Sequence, residues 1–245
     1  MAKMFIGGES VDSVTKNTTE VRNPATGATV DTVPQGNDKD VQQAIQAAEE
    51  AFKVWSDVSP EDRGNALMNA GELIKKNAGE ISQLLTQEQG KTLFEAGLEI
   101  HHLVHGLEFY AGLASKVRGS HVPLPQKGAY GMVVRQPIGV CGGIVPWNFP
   151  LTLMGTKLGP ALAAGNTIIV KPASTTPLAT IKVIELIAQA TFGEGKAQKP
   201  LPKGTVNIVT GPGGSVGEEL LRNPRIRRIA FTGSTPVGRH VMEVA

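Results

Sequence analysis

Residues 140–171 read VCGGIVPWNFPLTLMGTKLGPALAAGNTIIVK and place a helical stretch between two short apolar strands. The first strand, VCGGIV, stops at Pro146, and the second, NTIIVK, begins after Gly165. A strand, a helix and a second strand in this order predict a βαβ unit, in which both strands lie parallel in one sheet. Both strands are nearly continuous in apolar residues, which indicates that helices cover the two faces of the sheet.

The same alternation continues towards the C-terminus. The apolar strands TVNIVT and IRRIAF follow the helical stretches PLATIKVIELIAQA and SVGEELLRN. We therefore predict an α/β fold whose core, residues 138–245, is a Rossmann-like parallel sheet with flanking helices.

The N-terminal part of the chain, residues 1–118, has a different pattern. VRNPATGATVDTVP alternates around a Pro/Gly turn and predicts a hairpin, whereas helical periodicity dominates the residues that follow it. Ser59 is the predicted N-cap of one helix. Thr92 and Glu95 form the predicted capping box of another helix, which we expect to run through Leu107.

Composition limits the classes of partner. The 245 residues carry a formal net charge of +2, too small to indicate nucleic acid or an anionic membrane. The sequence lacks a run of about 18 apolar residues, and its first residues lack the apolar core of a signal peptide. Aromatic residues make up 4%, which argues against stacking of nucleic acid bases. One cysteine permits no intrachain disulfide, and we expect a cytoplasmic protein.

Polar or glycine residues follow the predicted strands where each strand ends: Asn148, Lys171, Gly211 and Ser234. Ligands of such sheets bind beyond the carboxyl ends of the strands. A side-chain amide there can donate a hydrogen bond to an oxyanion that develops during a reaction. Taken singly, Asn148 could be a turn residue before Pro150, and Lys171 could be a surface lysine. Their joint placement favours a binding site.

Other motifs carry less weight. GPGGSVG follows a strand but lacks the G-x-G-x-x-G spacing, and GSTPVGRH has Arg239 and His240 where a P-loop needs Lys and Ser/Thr. His101 and His105 have the spacing of two zinc ligands, but a third ligand is missing, so we predict no metal site. Cys141 lies inside an apolar strand and is interpreted as a small buried side chain.

Several long motifs resemble the aldehyde dehydrogenase superfamily. PWNFP, GPALAAGNTIIVKPASTTP, GTVNIVTGPGG and FTGSTPVGR occur in the family's order, and the resemblance extends to RNPATGATV near the N-terminus. It implies an aldehyde dehydrogenase fold truncated before the catalytic domain. Residues 1–118 would be the N-terminal strands and helices of the cofactor-binding domain, residues 119–137 part of the oligomerisation arm, and residues 138–245 a Rossmann-like NAD(P)-binding core that is incomplete at the C-terminus.

The resemblance also implies roles for single residues. Asn148 would hold the aldehyde oxygen in an oxyanion hole, Lys171 and Ser174 would contact the adenosine ribose, Ser234 would meet the pyrophosphate, and Val237 would line the adenine region. The implied cofactor contacts are Ile144, Pro146, Trp147, Lys171, Ser174, Gly211, Phe231, Gly233, Ser234 and Val237. NAD-dependent relatives often carry a carboxylate where this chain has Ser174, so NADP should be tolerated or preferred.

The family's nucleophilic cysteine and general-base glutamate lie downstream of the segment that matches FTGSTPVGR, and the printed sequence stops before them. The resemblance therefore implies NAD(P)-dependent oxidation of a small aldehyde by an intact homodimer or homotetramer, and an inactive N-terminal half. The alternative is a noncatalytic module that binds cofactor or pairs with an oligomeric partner. GSTPVGRHVMEVA is similar to semialdehyde dehydrogenases, but Lys116 stands where succinate-semialdehyde enzymes carry arginine, so no aldehyde is named.

Overall fold

The computed structural model describes residues 1–193 and 195–245. The strands of these residues are β1 (Met4–Ile6), β2 (Glu9–Val11), β3 (Thr18–Arg22), β4 (Thr29–Pro34), β5 (Ser120–Pro123), β6 (Tyr130–Val133), β7 (Val140–Ile144), β8 (Thr167–Lys171), β9 (Thr191–Phe192), β10 (Lys199–Pro200), β11 (Val206–Ile208) and β12 (Ile226–Phe231). The helices are α1 (Asp38–Trp55), α2 (Pro60–Lys76), α3 (Ala78–Gln89), α4 (Leu93–Ala114), α5 (Pro150–Ala163), α6 (Leu178–Ala188), α7 (Glu218–Arg222) and α8 (Thr235–Val244). A 3₁₀ turn spans Gly195–Ala197, and a π-helical turn spans Gly213–Gly217.

The central sheet has the strand order β12-β7-β8-β11-β1-β2. The first four strands are parallel, with Val140 opposite Thr167 and Ile144 opposite Lys171 across β7 and β8. This confirms the α/β class and the Rossmann-like sheet. The sheet is mixed, because β1 pairs antiparallel with β11 and β2 pairs antiparallel with β1. Each of these N-terminal strands has only three residues, too few for a recognisable alternating pattern.

Helices cover both faces of this sheet. All five residues of β8 are buried, and successive side chains point to opposite faces. Ile169 belongs to a cluster with Val41 and Ile45 of α1, whereas Ile168 and Val170 belong to the larger cluster under α2 to α6. The strands are therefore continuously apolar because helices cover both faces of the sheet, as the sequence indicated.

The predicted starts of the N-terminal helices are confirmed. Ser59 accepts a hydrogen bond from the Asp62 amide at 3.1 Å, and Thr92 with Glu95 forms the capping box of α4. Helix α4 extends to Ala114, beyond the predicted end at Leu107, because no proline interrupts the residues between them. The hairpin predicted in VRNPATGATVDTVP is the antiparallel pair of β3 and β4. None of the described helices combines the length and apolar character that a bilayer crossing requires.

Two N-terminal helices, α3 and α4, also supply acceptors for the first main-chain amides of α6 and α5, which pack on the sheet. Glu99 of α4 accepts from the amides of Leu151 and Thr152 at 2.7 and 3.2 Å, in the first turn of α5. Glu88 of α3 accepts from the first two amides of α6 at 2.7 and 2.9 Å. The N-cap residues of α5 and α6, Phe149 and Pro177, provide no side-chain cap of their own. Both carboxylates are almost fully buried, so they replace water at these helix starts.

The segment 119–137 contains the antiparallel pair of β5 and β6, with Ser120 opposite Val133. Val122, Tyr130 and Met132 are exposed. The strand pair has the predicted position, and its assignment to an oligomerisation arm stays a prediction.

We predict that Glu88 makes stability depend on pH. Burial raises the pKa of Glu88 to about 8, against an ordinary value of 4.5, and the neighbouring Glu99 charge acts in the same direction. Folded Glu88 thus keeps a proton that the unfolded chain releases, so the free energy of unfolding should fall between pH 5 and 8. The slope of this single group is at most about 1.4 kcal/mol per pH unit.

Urea unfolding of wild type and Glu88→Gln at several pH values measures this slope. Glutamine keeps one acceptor for the α6 amides and cannot titrate, so its profile should be flatter. Glu80→Gln is the control, because Glu80 is an exposed partner of Lys182. Parallel profiles for wild type and Glu88→Gln would show that Glu88 is ionised throughout this range.

Candidate functional site

Most of the predicted site residues meet at the carboxyl ends of β7 and β12. A cavity of about 460 Å³, here called the main cleft, lies between the segments that leave these two strands. The predicted residues that line it are Ile144, Pro146, Trp147, Asn148, Phe231, Gly233, Ser234 and Val237. The structure therefore brings together the oxyanion-hole candidate and the predicted pyrophosphate contact.

Ser174 and Gly211 lie in a second cavity, of about 190 Å³, at the ends of β8 and β11. The Ser174 hydroxyl donates a hydrogen bond to the Gly211 carbonyl at 3.3 Å. An open cleft of about 510 Å³ is lined by both Ser174 and Trp147, and Trp147 also borders the main cleft. The two groups of predicted residues thus lie along one continuous surface.

Lys171 is placed differently from the other predicted residues. It is the last residue of β8 and only 6% exposed, and its ammonium donates to the Pro172 carbonyl at 2.9 Å. A Cβ atom at Gly217 would lie 3.9 Å from the lysine side chain, so Lys171 lies beneath the glycine-rich turn. Burial lowers the pKa of Lys171 to about 8. Lys171 and Ser234 therefore do not line one cavity, although Lys171 ends β8 and Ser234 follows β12 at the same edge of the sheet.

The helix starts differ in their capacity for an anion. The first amides of α5 and α6 are taken by Glu99 and Glu88, as described above. Helix α8 begins after Ser234 at the main cleft, and no side chain caps it. An uncapped helix N-terminus presents amide donors and a positive partial charge. Of these three helix starts, α8 is the one suited to a phosphate group.

The GPGGSVG turn has a structural requirement at one position. Gly211 has a φ of +145°, in the region that side chains rarely adopt. A Cβ atom there would lie 2.6 Å from Val216 Cγ2 and 2.8 Å from the Gly36 carbonyl oxygen. By contrast, Gly213 and Gly214 face open space. Gly211 is thus required by the close approach of two backbone segments, whatever else binds there.

Sequence reasoning missed Lys157. Its ammonium donates to the Leu153 carbonyl at 3.0 Å and to the Thr232 hydroxyl at 2.6 Å, and both acceptor residues line the main cleft. Burial lowers the pKa of Lys157. The one available signal was a lysine inside an otherwise apolar helix, LTLMGTKLGPALA, which is unusual for a chain segment covered on both sides.

Cys141 and the histidine pair of α4 lie apart from these cavities. Cys141 is buried, as predicted, and burial raises the pKa of its thiol to about 11. His101 and His105 are on the exposed side of α4, with parallel rings 6.4 Å apart. Across residues 1–193 and 195–245, three potential metal-ligating side chains of the His, Cys, Asp and Glu types never come together.

Comparison with known proteins identifies similar chains. The model of the Aldehyde dehydrogenase family matches residues 11–245. Glutarate-semialdehyde dehydrogenase of Pseudomonas putida is 39% identical over 98% of this chain and 48% of its own length. The NADP(+) succinate-semialdehyde dehydrogenase of Escherichia coli is 38% identical, again over 98% of this chain and 48% of its own length.

Solved structures agree with these matches. Betaine aldehyde dehydrogenase from Staphylococcus aureus in complex with NAD+ superposes with a TM-score of 0.92 at 34% identity. The match covers 100% of this chain and 47% of that one. The chain thus spans about half the length of the relatives that it matches.

We predict that Gly211→Ala destabilises the protein by about 1–3 kcal/mol, because the new methyl group meets backbone atoms that cannot move aside and the residue keeps a strained φ. Gly213→Ala is the matched control in the same turn, and its stability should stay within about 0.5 kcal/mol of wild type. Urea unfolding measures both. A Gly211→Ala variant as stable as Gly213→Ala would mean that Gly36 and Gly211 do not approach each other closely.

Proposed function

The chain belongs to the aldehyde dehydrogenase family, and we propose that its strand ends bind NAD(P) for the oxidation of an aldehyde. The observation that carries this proposal is the main cleft, which places Asn148 and the uncapped start of α8 at Ser234 in one cavity. An amide donor and an anion-binding helix start are the two groups needed beside a bound dinucleotide.

The helix starts support one orientation of the cofactor. The pyrophosphate lies against Ser234, since α8 offers the uncapped amides at the main cleft. The adenosine ribose lies towards Ser174, in the neighbouring cavity, which is also lined by Pro172, the residue that follows the buried Lys171. The nicotinamide end then lies towards Asn148 and Trp147. The exposed Val237 contributes an apolar wall to the same cleft.

Both cofactors are accepted in this proposal. A carboxylate at position 174 would repel a 2′-phosphate, whereas the Ser174 hydroxyl does not. Among the relatives, one E. coli enzyme is named for NADP(+) and one S. aureus structure contains NAD+. Those names describe the relatives, and they support a family in which either cofactor fits the same fold.

A nicotinamide bound there would supply the acceptor for a hydride from the aldehyde carbon, once a nucleophile has added to that carbon. In this proposal the side-chain amide of Asn148 donates a hydrogen bond to the aldehyde oxygen as negative charge builds up on that oxygen. Cys141 is unsuited to nucleophilic attack, because its thiol is buried and its pKa is raised to about 11. We therefore assign residues 1–245 to cofactor binding and oxyanion stabilisation, and attack on the aldehyde needs a nucleophile other than Cys141.

A second candidate function is a noncatalytic module that associates with a partner subunit. The observation that favours it is the hairpin of β5 and β6, which pairs with no third strand in the described part of the chain and exposes Val122, Tyr130 and Met132. Exposed apolar side chains on an isolated hairpin are typical of surfaces that other chains cover. This candidate does not conflict with cofactor binding.

We predict that Lys171 makes cofactor affinity depend on pH. With a pKa of about 8, the ammonium loses its charge above that pH and can no longer form a charge-assisted hydrogen bond to the ribose. Affinity for NAD+ should be constant below pH 7 and fall from pH 7 to 9. Lys171→Met should weaken binding by about 1–3 kcal/mol at pH 7 and remove the pH dependence.

Isothermal titration of NAD+ into wild type and variant tests this role. Lys203→Met is the control, because Lys203 is an exposed lysine near the opposite end of the sheet. Absence of NAD+ and NADP+ binding to wild type at millimolar concentration would refute the proposed function. Binding to wild type that is flat from pH 7 to 9 would refute only the role of Lys171.

We predict that Ser174→Glu weakens NADP+ binding at least about ten-fold more than NAD+ binding, because the new carboxylate faces the 2′-phosphate. Ser174→Gln has the same shape without the charge and should weaken the two cofactors equally. Titrations of both cofactors against the three proteins give the comparison. Equal losses of NAD+ and NADP+ affinity in Ser174→Glu would place residue 174 away from the ribose.

A further inference from the structure

A buried ion pair lies directly behind the segment that carries Asn148. Lys91, between α3 and α4, has a side chain only 7% exposed and pairs with Glu99, whose side chain is 0% exposed. The Lys91 ammonium also donates a hydrogen bond to the Asn148 carbonyl at 3.0 Å. It lies 4.5 Å from the centre of the Phe149 ring, within range of a cation–π contact.

The carboxylate of the same pair holds the residues that follow. One Glu99 oxygen accepts from the amides of Leu151 and Thr152, and the Glu99 carbonyl accepts from the Thr152 hydroxyl at 3.3 Å. A single ion pair therefore contacts the segment 148–152 before and after the start of α5. The two charges reach it from a loop and a helix that precede it by more than 50 residues in the chain.

These contacts fix the direction of Asn148. Its carbonyl accepts from Lys91, with Gln89 as a second, longer donor at 3.5 Å, and the residue itself borders the main cleft. In the described part of the chain, the side-chain amide of Asn148 makes no hydrogen bond, so it is available to a ligand. Leu151 anchors the far end of the segment in the core, but apolar packing restrains the residues beside Asn148 little, because Trp147 and Phe149 are 59% and 51% exposed.

We infer that Lys91 is the positioning residue of Asn148, and that Glu99 holds Lys91 in place for this task. The inference rests on the proposed function, in which the Asn148 amide stabilises an oxyanion. A buried ion pair is a weak source of stability compared with apolar residues of the same size, so its position behind a ligand-facing amide needs another explanation. Restraint of that amide within a fraction of an ångström is what oxyanion stabilisation requires.

The variant that tests this is the double substitution Lys91→Met/Glu99→Gln. Removing one charge alone would leave its partner buried and unpaired, and the protein could unfold for that reason. The double variant leaves no charge, and the glutamine side chain at position 99 keeps an acceptor for the α5 amides. It should melt within about 4 °C of wild type. Lys91→Arg keeps the cation and serves as the conservative variant.

Trp147 reports the mobility of the segment without any ligand. The chain has two tryptophans, and Trp55 is fully buried, so acrylamide quenches Trp147 selectively. We expect the quenching constant of Trp147 to rise roughly two-fold in the double variant. The ¹⁵N heteronuclear NOE of the Asn148 main-chain amide should fall. Lys91→Arg should stay near wild type. Lys53→Met, which removes an exposed partner of Glu50, should change neither quantity.

Wild-type quenching and a wild-type NOE in a folded double variant would overturn the inference, because other contacts would then hold Asn148. An equal loss of restraint in Lys91→Arg would overturn it as well, since the cation would not be the restraining group. Both measurements are made without cofactor and decide the inference alone. Titration of NAD+ and NADP+ against wild type decides the proposed function separately.

Discussion

Two buried glutamate side chains couple the N-terminal helices to the sheet. Glu99 caps α5, and Glu88 caps α6, in each case through two main-chain amides. Helix α5 is also held at its other end, where the Trp55 indole donates to the Leu162 carbonyl and Arg63 donates to the Ala163 carbonyl. Residues 1–118 therefore provide hydrogen-bond partners at both ends of α5, the helix between β7 and β8. The two parts of the chain depend on each other for hydrogen bonds that neither satisfies alone.

This capping determines where an anion can bind. A parallel sheet directs the N-terminal ends of its helices to one edge, and each end is a candidate phosphate site. Here the starts of α5 and α6 already hold carboxylates, whereas α8 starts at Ser234 without a side-chain cap. The anion site that we propose therefore lies away from the centre of the sheet, towards β12. The main cleft lies on that side of the sheet, between the segments that leave β7 and β12.

The sequence predicted those features that depend on neighbours in the chain. The Ser59 cap and the Thr92–Glu95 box each involve residues three positions apart. The caps at α5 and α6 were not predictable, because Glu99 is 52 residues from Leu151 and Glu88 is 90 residues from Leu178. A buried glutamate in a helix that otherwise carries ordinary exposed charges gives no local signal of its partner.

The same distinction applies within the site. The strand ends located Asn148, Lys171, Gly211 and Ser234 at the correct edge, since that position follows from where each apolar run stops. The separation of Lys171 from Ser234 depends instead on the direction of one side chain, which turns under the Gly217 backbone and donates to Pro172. Side-chain direction at a strand end is set by packing against other segments, and here those segments come from distant parts of the chain. The segment of Asn148 shows the same dependence, because its carbonyl accepts from Lys91, a residue 57 positions earlier in the chain.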